Sequence, residues 1–353
     1  MTEMTVTREK HRGGERVLYF EYHYGFWKRL PYSRSARSMD AVVAYQFLPA
    51  RKPAVIRRLL AQLPNQHVVA MLDLEDSAAD MLAPERTAEL KTAARANLAA
   101  LFAAGGVPAD RPLGVRINAA GTPDHAADLA AIADARHRGH EVAVLLPKLE
   151  SAMAVDDAAR FFTHRGLTPP RLYLLAETGP GVERLREILA QTQPLVAGVF
   201  LGMIDYALDR GMWPFPRSLD PALWAIARRV ADACGEAGVT YVHTPCLRLR
   251  DQELIREICR RLREICRGPT GLLTLSLEQT RAVVDAAGAA AGGGQGEPAP
   301  HDSLAEARDV IRVFREHSSG KRSFSVDALH DRYIPPQEYL AAVRFLAGQS
   351  EHP

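Results

Sequence analysis

Short apolar runs alternate with segments of helical length along most of this chain. Eight runs of strand length follow one another: Val42–Ala50, Val68–Asp73, Leu113–Asn118, Val142–Lys148, Leu172–Glu177, Val196–Asp205, Val239–Pro245 and Leu272–Leu277. Several runs are apolar at nearly every position, which is typical of parallel strands covered on both faces. The segments between them include five of helical length: Pro53–Leu63, Ala83–Ala104, Asp124–Arg138, Pro221–Ala237 and Arg250–Arg267. The alternation predicts an α/β protein with a parallel sheet.

The number of strands indicates how this sheet is arranged. Eight parallel strands with helical connections are what a TIM (β/α)8 barrel requires. A doubly wound open sheet is the alternative, but no Gly-x-Gly-x-x-Gly fingerprint follows the first apolar run. We therefore predict that residues 41–287 form a TIM-barrel catalytic domain.

Three segments lie outside the predicted barrel. Residues 1–40 form an N-terminal extension, whose aromatic stretch Val17–Leu30 predicts an added strand or hairpin, or alternatively a surface on which a nucleotide stacks. Residues 288–302 are of low complexity and predict a flexible linker. Residues 303–353 are expected to form a C-terminal lid or oligomerisation segment, with helices at Ser303–His317 and Pro336–Leu346 and an irregular stretch at Ser325–Tyr333.

Composition narrows the class of protein. Of the 353 residues 47% are hydrophobic, which is enough for a large core. The net charge of +2 does not favour nucleic acid or an anionic membrane as the partner, although the first 58 residues hold twelve Lys or Arg and five Asp or Glu. The four cysteines lack C-x-x-C spacing, no apolar run is long enough to span a membrane, and Met1–Arg16 is too polar for a signal peptide. We expect a cytoplasmic protein with reduced thiols.

Polar residues stand where the predicted strands end. They follow seven of the eight apolar runs: Arg51, Asp73 with Glu75, Arg116, Lys148, Glu177, Asp205 and His243. In a TIM barrel the carboxyl ends of the strands form the mouth, where the chemistry takes place. The pattern predicts a functional site at that end, although a single His such as His243 is more often a hydrogen-bonded structural residue.

Two of these residues suit a metal ion. Glu177 and Asp205 end two successive strands that are joined by a helix-length segment, so both should lie at the same edge of the sheet. Gly179 and Gly202 would let backbone approach closely there. Converging carboxylates are ligands for a hard divalent cation, usually Mg²⁺. The alternative is that one acid caps the following helix.

Five motifs resemble those of a known family. They are Asp73–Ser77 (DLEDS), Val115–Asn118 (VRIN), Leu146–Glu150 (LPKLE), Ala176–Val182 (AETGPGV) and Leu201–Asp205 (LGMID). In order and spacing they are similar to the citrate lyase beta-subunit-like group, within the larger family of pyruvate aldolases and malyl-CoA lyases. The N-terminal extension resembles that of the tellurite-resistance-associated branch.

The resemblance implies a Mg²⁺-dependent C–C bond lyase, with Mn²⁺ as the alternative ion, on a TIM barrel that assembles as a trimer or hexamer. Glu177 and Asp205 match the metal ligands, and Arg116 matches the arginine that grips the substrate carboxylate or carbonyl oxygen. The backbone near Gly202 matches the place where the oxo-acid carboxylate binds. The C-terminal tail implies a lid, often over a neighbouring subunit's site.

Physical reasoning supports these roles. Cleaving a C–C bond beside a carbonyl leaves an enolate, whose oxygen a divalent ion and a guanidinium can stabilise. A salt bridge from Arg116 to Asp73 or Glu75 is the structural alternative, and it is compatible with substrate binding. Asp73 and Glu75 are two positions apart, so they should point the same way, and one of them is expected to orient Arg116 or a water on the metal.

The remaining candidates are basic residues and the tail. Lys148 is expected to neutralise the acidic cluster or to anchor a substrate phosphate. Arg51, with the basic N-terminal stretch, could bind the phosphates of a CoA-type thioester, or could belong to a solvated face. In the tail, Asp331 is the candidate catalytic acid or base, with His330 as second choice; the alternative is that both are surface residues of the lid.

The chain departs from the family pattern at the eighth strand. Leu272, Ser276 and Leu277 stand where the family has Lys, His and Pro, so this wall of the site should be less polar. We predict a lyase or aldolase for a small oxo-acid or acyl thioester that acts through a metal-stabilised enolate. A non-catalytic oxo-acid-binding barrel is one alternative, and a nucleic-acid or protein-binding role of the N-terminus is another.

Overall fold

The computed structural model describes residues 5–12, 15–21, 41–80, 83–107, 111–286, 303–317, 325–327 and 332–350. The chain divides into two units, Met1–Met39 and Asp40–Pro353. In the first unit, β1 (Thr5–Arg12) pairs antiparallel with β2 (Glu15–Glu21). The predicted strand Val17–Leu30 overlaps β2, and its part beyond Glu21 lies outside the described residues.

The second unit is built on a closed barrel of eight parallel strands. The strands are β3 (Val42–Pro49), β4 (Val68–Asp73), β5 (Leu113–Arg116), β6 (Ala143–Leu146), β7 (Leu172–Ala176), β8 (Val196–Leu201), β9 (Thr240–His243) and β10 (Thr270–Thr274). Each pairs with the next in the chain, and β10 closes the barrel by pairing with β3. The predicted TIM barrel is confirmed.

Helices follow the barrel strands, and in chain order they are α1 (Pro53–Gln62), α2 (Thr87–Ala103), α3 (His125–His137), α4 (Ala152–Thr163), α5 (Gly179–Glu183), α6 (Leu185–Thr192), α7 (Met203–Asp209), α8 (Pro221–Ala237), α9 (Gln252–Ile265) and α10 (Leu277–Ala286). The one helix expected after the fifth barrel strand is two, α5 and α6. The chain also enters α7 directly after β8, so the predicted strand Val196–Asp205 is too long. None of the helices among the described residues combines the length and apolar character that crossing a bilayer requires.

The core has two layers. Inside the barrel, large side chains such as Tyr45, Met71, Tyr173 and Phe200 fill the lumen, and Tyr45, Tyr173 and Phe200 meet edge to face. A larger apolar layer lies between the strands and the surrounding helices. Strands buried on both faces explain why the apolar runs of the sequence are nearly continuous.

The C-terminal part packs on the barrel of its own chain. It consists of α11 (Ser303–His317), β11 (Ser325–Asp327), β12 (Arg332–Ile334) and α12 (Pro336–Ser350). The N–H of Tyr333 donates to the carbonyl of Leu247, in the loop after β9, at 2.8 Å. The prediction of an irregular stretch at Ser325–Tyr333 is wrong in part, because this stretch contains β11 and most of β12, which pair antiparallel. The described tail closes over the same chain's barrel mouth.

Candidate active site

A cavity of about 400 Å³ opens at the carboxyl ends of the barrel strands. Six of the predicted site residues line it: Arg51, Asp73, Arg116, Glu177, Gly202 and Asp205. Glu75 and Lys148 lie beside this cavity: Glu75 forms an ion pair with Arg116, and the backbone N–H of Lys148 donates to Glu177. Asp331 and His330 lie outside the described residues. The described tail contributes Tyr333 and Gln337 to the lining.

Glu177 follows the last residue of β7 and is 1% exposed. Its Oε1 accepts a hydrogen bond from the backbone N–H of Lys148 at 2.8 Å. Lys148 adopts a left-handed backbone with φ of 50°, an uncommon conformation for a side-chain-bearing residue. Burial raises the pKa of Glu177 well above its usual value, and the nearby carboxylates of Asp205 and Glu75 raise it further. Thr178, not Glu177, caps the following helix, so Glu177 is free of that alternative role.

We expected Asp205 at the end of a strand, but it lies in the first turn of α7. Burial raises its pKa to about 6, and the charge of Asp76 adds to the rise. Gln337, at the start of α12, places its Nε2 3.3 Å and 3.4 Å from the two carboxylate oxygens of Asp205. An amide from the tail thus contacts one member of the acidic pair.

Gly202 lies between these two acids at the turn from β8 into α7. A methyl group on its Cα would lie 2.5 Å from Cβ and 2.9 Å from Oε2 of Glu177. No side chain fits in that space, so glycine is what lets the β8–α7 turn approach the Glu177 carboxylate. The role of Gly202 in close approach was predicted from the sequence, and its backbone faces the cavity.

The donor set fits Mg²⁺ in its chemistry. Burial raises the pKa of both Glu177 and Asp205, and a cation between the two carboxylates would stabilise them as anions. Mg²⁺ is commonly held by one or two carboxylates, with waters or substrate oxygens as its other ligands. Among the residues described, no group of three or more His, Cys, Asp and Glu is arranged to hold a metal. Glu177 and Asp205 would therefore hold the ion together with non-protein oxygens.

Arg116, the last residue of β5, is buried among carboxylates. Its Nη2 and Nε donate to the two oxygens of Asp73 at 2.7 and 2.8 Å, a two-point contact. Its Nη1 lies 3.0 Å from Asp76 and 3.1 Å from Glu75. The guanidinium also stands 5.2 Å from the ring centre of Phe47. The salt bridge that we considered as the structural alternative for Arg116 is thus present, and the same side chain lines the cavity.

Asp73 is fixed by several donors. Burial by itself would raise its pKa, but the Arg116 charge and hydrogen bonds, with the N–H groups of Glu75 and Ser77, lower it below the usual value. The N–H of Glu75 donates to Asp73 Oδ1 at 3.0 Å. Since β4 ends at Asp73, Glu75 is not on the strand and strand alternation does not set its direction, contrary to the reason given for the prediction. Both carboxylates reach Arg116 because the chain turns after Asp73.

Glu75 and Lys148 form a second ion pair, with Lys148 Nζ 2.6 Å from Glu75 Oε1. Burial raises the pKa of Glu75 to about 7, and Asp76 adds to the rise while Arg116 and Lys148 oppose it. Lys148 thus neutralises part of the acidic cluster, one of the two roles proposed for it. Its backbone and side chain connect Glu177 with Glu75.

His243 has a structural environment. It is 1% exposed, its Nδ1 lies 2.8 Å from the hydroxyl of Tyr241, and its ring stacks on Trp224. Burial lowers the pKa of His243 to about 3, so the ring is neutral at physiological pH. This is the structural role that we favoured for His243.

The wall of the cavity that β10 forms is apolar, as predicted, but the side chains that line it are not the predicted ones. Leu272 packs in the layer between strands and helices, while Leu273 and Leu275 line the cavity. The Ser276 hydroxyl donates to the carbonyl of Leu249 at 2.9 Å. The sequence alignment with the family motif identified the right strand but not the side chains that face the cavity.

Sequence reasoning missed several residues of the site. Asp76 belongs to the DLEDS motif but was given no role. Arg86 lines the cavity with Arg51, from a turn outside the barrel strands. Gln337 is 132 positions from Asp205, and no local pattern links the two.

The chain was compared with protein-family models, with curated proteins and with solved structures. The first two comparisons give no match. The citrate lyase beta subunit of M. tuberculosis, solved with oxaloacetate and magnesium, is 25% identical with a TM-score of 0.55, over 70% of this chain and 98% of that one. Malate synthase of Haloferax volcanii aligns over 90% of this chain and 93% of its own at 17% identity, with a TM-score of 0.65. RipC of Yersinia pestis is 22% identical with a TM-score of 0.51, over 72% of this chain and 98% of that one.

The fold and the site define a TIM-barrel protein with an acidic pair and a buried arginine at its mouth. The solved structures that the chain resembles include a citrate lyase beta subunit and a malate synthase, in agreement with the resemblance that its motifs indicated. Membership of the tellurite-resistance-associated branch stays a prediction.

Proposed function

We propose that this protein is a Mg²⁺-dependent C–C bond lyase or aldolase that acts on a small oxo-acid or an acyl thioester. One observation carries the proposal: two carboxylates with raised pKa, the buried Glu177 and the half-buried Asp205, share a cavity with Arg116. Such a pair is unfavourable without a cation, which suits a site built to bind one. The mycobacterial citrate lyase beta subunit has been crystallised with magnesium and oxaloacetate and with magnesium and pyruvate.

A divalent ion held by Glu177 and Asp205 would supply a Lewis acid for the carbonyl oxygen of the substrate. Arg116 would donate hydrogen bonds to the carboxylate or to the oxygen on which negative charge develops. Asp73 would keep the guanidinium in place through its two-point contact, so that little reorganisation is needed as the charge forms. The backbone N–H groups beyond Gly202 and the Lys148–Glu75 pair would shape the carboxylate-binding end.

The proton on the departing or attacking carbon needs an acid or base. We assign this role to Asp331, which immediately precedes β12 in the sequence and stands two positions before the cavity-lining Tyr333. Its protonation state would decide whether the carbon can be released or attacked.

The cavity rim suggests the nature of a larger substrate. Arg51 and Arg86 both line the cavity, and guanidinium groups bind phosphates well. A CoA-type thioester is therefore included in the proposal. Mn²⁺ is the alternative metal. We further propose a cytoplasmic homo-oligomer, a trimer or hexamer, in which residues 41–287 form the catalytic barrel, 288–302 a linker and 303–353 the lid.

A non-catalytic oxo-acid-binding barrel is the second candidate. The observation that favours it is the eighth strand, whose cavity side presents Leu273 and Leu275 and no polar side chain to the substrate. In this case the metal pair and Arg116 would bind the acid without turnover.

Isothermal titration with MgCl₂, followed by titration with oxaloacetate or pyruvate, tests the proposal together with a turnover assay. We expect Mg²⁺-dependent binding and bond cleavage in the wild-type protein. Glu177→Ala and Asp205→Ala should each abolish Mg²⁺ binding and leave the circular dichroism spectrum unchanged. Glu183→Ala, an exposed acid on α5, is the matched control and should bind normally.

The possible outcomes separate the candidates. Mg²⁺-dependent binding without turnover favours the binding barrel. Undiminished Mg²⁺ affinity in both alanine variants would show that Glu177 and Asp205 are not the ligands, and the lyase proposal would lose its basis.

A further inference from the structure

The cavity is lined by polar side chains on one part of the barrel mouth and by apolar side chains on another. The polar side comes from β4, β5, β7 and the β8–α7 turn, which carry Asp73, Arg116, Glu177 and Asp205. In the closed order β10-β3-β4-β5-β6-β7-β8-β9, strand β3 lies opposite β7. Because β10 pairs with β3, those two strands form one continuous wall opposite β6 and β7, and this far wall adjoins the polar residues at β4 and at the Phe47–Arg116 contact.

That far wall is made of apolar side chains. Phe47 and Leu48 come from β3, Leu273 and Leu275 from the end of β10, and Leu249 from the loop after β9. Leu273 also belongs to the cluster that fills the barrel lumen, so the wall continues into the floor of the cavity.

The polar side chains of this region are directed to other partners. Thr274 is buried, and its hydroxyl lies 2.8 Å from that of Thr280 and 3.4 Å from Gln46 Oε1. The Ser276 hydroxyl donates to Leu249, and the N–H of Leu275 donates to Gln279 Oε1 at 2.8 Å. The strand therefore offers the cavity hydrocarbon and keeps its hydrogen-bonding groups engaged.

The cavity is also larger than a small oxo-acid. A three-carbon oxo-acid has six non-hydrogen atoms, which at the volume of a water molecule each would occupy roughly 180 Å³. The cavity measures about 400 Å³. A substrate held by its carboxylate and carbonyl at the polar side leaves the apolar half unfilled unless it carries further carbon atoms.

We infer that the substrate carries an apolar acyl or alkyl portion of several carbons, which packs on Leu273 and Leu275 opposite the acidic pair. This inference rests on the proposed function, since the acidic pair and Arg116 fix the polar end of the molecule. Leu275 is half-buried at the mouth and determines how long an apolar portion is accepted.

Isothermal titration in saturating MgCl₂ with pyruvate, 2-oxobutanoate, 2-oxopentanoate and 2-oxohexanoate tests it. Burial of each added methylene should lower Kd about fourfold until the cavity is full. A second series with acetyl-CoA and hexanoyl-CoA, in the presence of Mg²⁺ and pyruvate, distinguishes an apolar oxo-acid from an apolar acyl thioester. A length dependence in either series supports the inference and identifies which molecule carries the chain.

Two variants make the test specific. Leu275→Thr should remove most of the length dependence and leave pyruvate affinity within about twofold, because it changes the wall and not the acidic pair. Leu304→Thr, an exposed leucine on α11 away from the cavity, is the matched control and should retain the wild-type dependence. Should Leu275→Thr fail to fold, the wild-type series alone decides.

Failure of the inference differs from failure of the proposed function. If pyruvate binds with Mg²⁺ but affinity does not rise with chain length in either series, the apolar wall does not select the substrate and the lyase proposal stands. If none of the four oxo-acids binds in the presence of Mg²⁺, the inference and the lyase proposal are both overturned.

Discussion

At the scale of single residues, Gly202 illustrates how a missing side chain shapes the site. The turn that carries it passes so close to Glu177 that an added methyl group would overlap the Glu177 side chain. The acidic pair therefore depends on a residue that itself offers no ligand. Conformational freedom is not the reason, since the backbone of Gly202 lies at φ of −95°; the requirement is for space.

Replacing Gly202 by alanine should displace Glu177 and weaken Mg²⁺ binding by about tenfold or more, as loss of a supporting contact does at metal sites. Isothermal titration with MgCl₂ measures this. Gly235→Ala in α8 is the matched control, because a methyl group there meets nothing nearer than Arg267 Cβ at 3.8 Å. The control should keep its metal affinity and be as stable as the wild type or more so. An unchanged Mg²⁺ affinity in Gly202→Ala would contradict the prediction.

His243 gives a prediction for pH. Its pKa is lowered to about 3 by burial, against an ordinary value of 6.5. Between these values the unfolded chain binds a proton that the folded chain does not, so stability rises with pH. From pH 6 down to pH 4 this residue alone should lower the free energy of unfolding by about 1.4 kcal/mol per pH unit.

Urea unfolding at several pH values checks this prediction. His243→Gln should show a smaller loss of stability on acidification than the wild type, whatever its stability at neutral pH. His137→Gln, on the exposed surface of α3, is the control. Equal slopes for the wild type and His243→Gln would mean that His243 titrates alike in the folded and unfolded chains.

The residues of the site could be predicted in part from the sequence. Glu177, Arg116 and Asp73 lie at or next to strand ends and Asp205 lies in the helix that follows β8, so all four reach the mouth of the barrel and share one cavity. Gln337 was not predictable, since its contact with Asp205 depends on how the tail packs. The ion pairs of Arg116 with three carboxylates could not be predicted from the sequence either, because they depend on the turn after β4.

At the scale of elements, the tail shows how a segment remote in sequence becomes part of the site. Strand β12 and the start of α12 reach the cavity because β12 pairs with the loop after β9, through Arg332 and Arg248. Two ion pairs tie the tail together and to the barrel: Arg332 with the fully buried Glu338, and Arg217 with Glu306. A buried pair of this kind positions the elements that carry it.

Removing one partner of the buried pair should therefore be costly. Glu338→Ala leaves Arg332 without its carboxylate in a largely buried position and should lower the free energy of unfolding by about 3 kcal/mol. Because Gln337 is its neighbour, oxo-acid affinity should fall as well. Denaturant unfolding and isothermal titration measure the two effects.

Glu316→Ala is the control, since its pair with Arg312 on α11 is exposed. It should change neither quantity measurably. A Glu338→Ala protein as stable as this control would show that the buried pair does not hold the tail in place.

The bounds of elements were predicted well where the sequence has a clear helical period. They were predicted poorly where packing against other elements determines where a strand ends. α8 (Pro221–Ala237) has the predicted bounds, and Asp220 caps it by accepting from the N–H of Ala222. The run Val196–Asp205 stays apolar past the true end of its strand at Leu201, since α7 buries its own Met203 and Ala207. An apolar run does not distinguish a buried strand from the first turn of a buried helix.

At the scale of the whole molecule, closure of the barrel brings the strand ends together. The described core layers are built from residues of the second unit, Asp40–Pro353. The barrel is thus expected to fold without the N-terminal segment.

Deleting residues 1–38 should leave the circular dichroism spectrum and Mg²⁺ affinity unchanged and the Tm within about 2 °C, because a domain with its own core folds independently. Light scattering on the same protein reports whether assembly needs the segment. Unchanged assembly and ligand binding would leave room for a separate nucleic-acid or protein-binding role of the N-terminus. A deletion variant that does not fold would show that the barrel depends on the segment.

The sequence by itself determined the class of fold and the end of the barrel where the site lies. Both follow from local periodicity and from polar residues at regular intervals, and a linear pattern records these directly. Tertiary structure alone decided which side chains meet: Gln337 with Asp205, Arg116 with three carboxylates, and Leu273 and Leu275 with the space opposite the acids. The reason is physical, because contacts between residues far apart in the chain depend on the angle and distance at which whole elements pack, and no local pattern encodes those.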